Sequence, residues 1–75
     1  VRRAQHIRVA AIVTASADHV RAALAQLPAD VTSYVVETPA GILVTLEQAR
    51  RWPRHPRRRV IRALQRELAR VRHLT

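Results

Sequence analysis

Arginine is the residue type in this chain with the numbers and spacing to do chemistry, and that chemistry is electrostatic. All fourteen basic side chains are arginine and none is lysine. In the stretch RRWPRHPRRRV, Arg50 to Val60, six arginines, one histidine and the only tryptophan surround two prolines. Beyond it arginine recurs at 58, 62, 66 and 70, one guanidinium per turn of a helix and all on one side. A guanidinium offers a planar fork of donors that matches phosphate. Arg51, Arg54, Arg57, Arg58, Arg59, Arg62, Arg66 and Arg70 are therefore the predicted nucleic-acid contacts. Abundant alanine beside the arginine also matches the codon bias of a GC-rich genome, which discounts the choice of arginine over lysine but leaves the charge.

Other chemistry finds little support. Ser16, Asp18 and His19 are the residue types of a hydrolytic triad, but four consecutive positions at a helix start cannot converge as a triad requires, so helix capping is the reading. The histidines His6, His19, His55 and His73 lack metal-ligand spacing and have no cysteine companions. A single glycine excludes glycine-rich phosphate loops, and the five acidic residues are dispersed. No catalytic residue, metal or cofactor is predicted, and the chain is not expected to be an enzyme.

A net charge of +9 and a pI near 12.0 favour a polyanionic partner. Seventy-five residues suffice for one small domain, expected over 1–75, with a stiff proline and arginine connector at 50–59. Without cysteine, packing alone must hold it. The apolar run Val9 to Val13 is far short of a membrane span and the N-terminus lacks a signal-peptide layout, so a cytoplasmic location is expected.

The elements that position the arginines follow from periodicity. His6 to Val13 is rich in β-branched residues and reads as a strand: Ile7, Val9, Ala11 and Val13 lie on one side, with Arg8, Ala10 and Ile12 on the other. Ser16 caps a helix over 17–27, with stripe Val20, Ala23, Leu24 and Leu27, stopped by Pro28. Residues 31–37 and 42–46 form a hairpin through Thr38-Pro-Ala-Gly41, with Gly41 at positive φ. Thr45-Leu-Glu-Gln48 matches a capping box, predicting a short helical turn from Leu46 to Arg51. A helix over 57–74 then sets Val60, Ile61, Leu64, Leu68 and Val71 against Arg58, Arg59, Arg62, Arg66, Arg70 and His73 on the far side.

The order β-α-β-β-α predicts an α+β, two-layer split β-α-β, an incomplete ferredoxin-like arrangement. It would be a three-stranded mixed sheet with the third strand inserted between the other two and both helices on one face. Such topology implies no function. A complete unit carries a fourth strand beside the first, so the first strand is expected to be an apolar edge, paired across a homodimer interface of Ile7, Val9, Ala10, Ala11, Ile12 and Val13.

The expected function is binding to the phosphate backbone of DNA, or less readily of structured RNA, through the arginine-lined last helix. Tyr34 is the only aromatic in a predicted strand, which disfavours base stacking on the sheet, and Trp52 reads as a plug over a helix end. The chain has no asparagine, so the common adenine reader is absent and weak sequence preference is expected. The alternative is a protein-interaction or structural module within a larger assembly, supported by the semi-apolar second face of the sheet: Ala10, Ile12, Tyr34, Val36 and Leu43. Membrane binding by the last helix is not expected, because its apolar side lacks Phe and Trp and is needed for the core.

Overall fold

The computed structural model of the chain describes residues 5–50 and 56–72. Within them lie β1 (Gln5–Val13), α1 (Ala17–Leu24), β2 (Val31–Thr38), β3 (Gly41–Arg50) and α2 (Arg57–Arg72). The sheet order is β1-β3-β2, and β3 runs antiparallel to both neighbours. β1 and β2 are therefore parallel to each other across β3, which is the inserted-strand, ferredoxin-like topology that the element order predicts.

Register sorts the side chains. Ile7, Val9, Ala11 and Val13 of β1 stand beside Gln48, Leu46, Val44 and Ile42 of β3, and this side faces the helices. From above, α2 contributes Val60, Leu64, Leu68 and Val71, and α1 contributes Val20 and Ala23. Each such side chain contributes at most about 1.5–3 kcal/mol through burial. Both helices thus lie on one face of the sheet, α2 over β1 and β3, and α1 chiefly against α2.

The capping-box reading of Thr45–Gln48 is overturned: those residues are strand, and β3 continues to Arg50. Nine-residue β1 explains why. Gln5 to Val9 pair with Leu46 to Arg50, and Val31 to Ser33 pair with the same stretch from the other side. A helical turn there would leave backbone groups of two strands without partners, a cost far above the benefit of one cap.

Ser16 caps α1 as predicted, its hydroxyl accepting from the His19 N–H at 3.2 Å. Asp18 occupies the first turn. The helix ends at Leu24 rather than at 27, because Gln26 and Leu27 donate to Ala23 and Leu24 (3.2 Å each), tightening the chain into i→i+3 bonds before Pro28. Gly41 takes φ +137°, as the hairpin reading requires, and a Cβ there would stand 2.9 Å from both Ile12 Cγ2 and the Val13 carbonyl. The bulk of the predicted connector, 51–55, and the end of the predicted last helix, 73–74, lie outside the described residues.

Candidate nucleic-acid interface

The basic surface is built by α2. Its first turns are set by Pro56, whose carbonyl accepts from Arg59 N (3.0 Å) and Val60 N (3.3 Å); at a helix start the missing proline N–H would have no intrahelical acceptor. Four buried apolar residues then fix the rotation of the helix on the sheet. That rotation leaves Arg57, Arg58, Arg59, Arg62, Arg66 and Arg72 exposed, and none of them makes an ion pair among the described residues. Arg58, Arg62 and Arg66 follow one another every ~6 Å along the axis. No acidic residue lies in the first turn, so Arg57, Arg58 and Arg59 sit at the positive end of the helix dipole.

Arg70 differs from the other predicted contacts. Its Nε donates to Glu67 Oε2 (3.1 Å), its Nη1 to Gln26 Oε1 (3.4 Å) and its Nη2 to the Ala23 carbonyl (3.0 Å). It therefore ties α2 to the last turn of α1, as a second donor to a carbonyl that already accepts from Gln26 N–H. Arg51 and Arg54, together with Trp52 and His55, lie outside the described residues.

The opposite side of the sheet has another character. Arg8, Ala10 and Ile12 of β1, Leu43, Thr45 and Glu47 of β3, and Thr32, Tyr34 and Val36 of β2 share it. Sequence reasoning missed the pairing at its centre. Glu47, only 8% exposed, accepts from the Arg8 guanidinium directly across the ladder and from His6 Nδ1 at 2.8 Å. The hydrogen bond from Arg8 lowers the Glu47 pKa, assisted by the His6 hydrogen bond and by the charges of both partners, and against the upward push of burial. This pair becomes visible in the sequence only once β3 is extended past Leu46. Arg8, Tyr34 and Thr45 line a shallow cleft of about 300 Å³ on the same face.

Of the residues predicted to pair two chains along the first strand, Ile7 and Val13 are buried under the helices and Val9 and Ala11 are half-buried. Only Ala10 and Ile12 are exposed. The strand that lies barest is β2. Among its described apolar residues, Val31 alone packs against the core. Val35, on the helix side beside Val44, is therefore 45% exposed, while Tyr34 and Val36 on the other side are 50% and 55% exposed.

Ser16 Oγ lies 3.4 Å from His19 Nδ1, a by-product of the cap, and no hydrogen bond joins Asp18 to either. Among the described residues no group of three or more His, Cys, Asp or Glu could hold a metal ion, and no helix is long and apolar enough to cross a membrane. Compared with family models, with curated proteins and with solved structures, the chain matches none.

Proposed function

We propose that the chain is a small basic cytoplasmic protein that binds nucleic acid, duplex DNA ahead of structured RNA, by laying the arginine face of α2 against the phosphate backbone. The reading is of a binder rather than an enzyme. The observation that carries it is the disposition of α2: six exposed arginines on one helix, without an anionic partner among the described residues. Three of them occupy the first turn, where the macrodipole disfavours cations. A protein alone is destabilised by that arrangement, and a bound polyanion relieves it. The guanidinium spacing suits backbone contact, which positions without reading sequence.

Fluorescence anisotropy on duplex DNA over a salt series tests this. Neutralising about five phosphates gives a log-log salt slope of about −4.5. Arg58→Glu separates binding from folding, because it should weaken DNA binding while raising thermal stability by about 0.3–1 kcal/mol through the helix dipole. Micromolar or weaker binding at low salt that is indifferent to Arg62→Ala and Arg66→Ala would overturn the proposal. Single-stranded DNA and duplex RNA probes in the same titration rank the nucleic acids.

The second reading, a protein-interaction module working as a homodimer or in a larger assembly, is favoured by the exposed apolar side chains Ile12, Tyr34 and Val36 on one sheet face.

A further inference from the structure

We infer that two copies of this chain join through β2, edge to edge and antiparallel, with the two Tyr34 residues opposite each other on the two-fold axis. β2 bonds only to β3, so its outer row of N–H and C=O groups has no partner in the described sheet. It is the strand with apolar side chains half-exposed on both faces: Val35 on one, Tyr34 and Val36 on the other. A ligand placed on a single face would cover one set. A strand added at the edge shelters both and pairs the backbone as well.

Charge selects a second copy as that strand. A chain of net charge +9 meets its own like at a cost, and β1 lies beneath the arginine-bearing helix α2. β2 carries a single charge, Glu37, and no basic residue. Two requirements narrow the register. Keeping both helix layers on the same side of a continuous sheet requires each residue to face one of its own parity. Avoiding Glu37 opposite Glu37 excludes a centre there. Centring on Tyr34 sets Val35 against Ser33, Val36 against Thr32 and Glu37 against Val31 of the second copy. Val31 lines a cleft of about 330 Å³ together with Leu64 and Arg66. Glu37 makes no ion pair among the described residues, nor does Arg66. The acids that share the cleft, Asp30 and Glu67, are already bonded to Gln48 and Arg70. Each copy thus brings an unsatisfied carboxylate towards the other's unsatisfied guanidinium, twice by symmetry.

This deepens the homodimer part of the second reading and is independent of nucleic-acid contact, because the experiment contains no nucleic acid. Light scattering after size exclusion should give twice the 8.5 kDa chain mass. The chain has no cysteine, so single introduced thiols report cleanly. Residues directly opposite in an antiparallel ladder stand within disulfide reach, so Tyr34→Cys should oxidise to a covalent dimer while Ala10→Cys on β1 should not. Glu37→Arg should weaken the dimer roughly tenfold and Glu37→Arg with Arg66→Glu should restore it. A wild-type mass of one chain at every concentration overturns the inference without touching the anisotropy result. So does a dimer that Ala10→Cys traps and Tyr34→Cys does not.

Discussion

Glu47 is a carboxylate held nearly out of water on a sheet face that is otherwise half exposed, and Arg8 and His6 of β1 keep it charged. Arg8 acts first, by hydrogen bond and by charge, with His6 beside it. Because the folded pKa is lowered from the usual 4.5, the group contributes stability that is fully present above that value and is lost as pH falls through the lower folded value. Thermal melts from pH 6 downwards should show a decline beginning near the ordinary glutamate range, and Glu47→Gln should flatten it relative to wild type. The other acids are common to both chains, so the difference isolates Glu47. Parallel pH profiles for the two would remove the Arg8–Glu47–His6 pairing from the account of stability. The same residue shows why register matters to charge here. With Glu47 neutralising Arg8, the open sheet face carries no uncompensated arginine among its described residues, whereas α2 carries six.

At the scale of elements, α2 has two sides that should answer differently to mutation. Leu64 and Leu68 are buried against the sheet, so Leu64→Ala and Leu68→Ala should each cost about 2–5 kcal/mol in denaturant unfolding. Arg66→Ala, on the exposed side, should stay within about 0.5 kcal/mol. Arg70→Ala should cost about 1–2 kcal/mol, since it unfastens α1 from α2. Equal responses at Leu64 and Arg66 would contradict the packing. The apolar period of α2 made its core side readable from the sequence, and β-branched runs with a Pro-Ala-Gly turn did the same for the hairpin. The second half of β3 was not readable locally, because Thr45 to Gln48 satisfies a cap rule as well as a strand rule, and only the distant demand of β1 decides between them. The role of Arg70 was hidden for a similar reason. Its helical phase places it at the flank of the basic face, and its acceptor, the Ala23 carbonyl, comes from another helix. The bareness of β2 depends on how far α1 reaches, and the stop at Leu24 follows from i→i+3 bonds that the apolar stripe through Leu27 concealed.

Across the whole molecule the layers divide the work: the helix layer concentrates positive charge on its outer side, and the sheet beneath keeps a near-neutral face and a bare edge. The proposed β2 pairing would leave both arginine helices on one side of a six-stranded sheet, a broader basic surface than one chain offers. The layers also differ in how they are fastened. β3 has a hydrogen-bonded neighbour along each side, whereas α1 is eight residues long and rests chiefly on α2. A helix that short has little stability of its own in water. Its hold on the protein consists of Val20 and Ala23, with Ala17 and Leu24 half-buried against the core, and of the Arg70 bonds to Gln26 and to a backbone carbonyl. Opening of α1 should therefore be a sub-global event, separate from loss of the sheet. Amide hydrogen exchange should register it as a fast-exchanging unit over Val20 to Ala25, with β3 slowest. Arg70→Ala should speed exchange in α1 while leaving Val44 and Leu46 protected, so that one end of the molecule breathes while the strand at its centre stays closed.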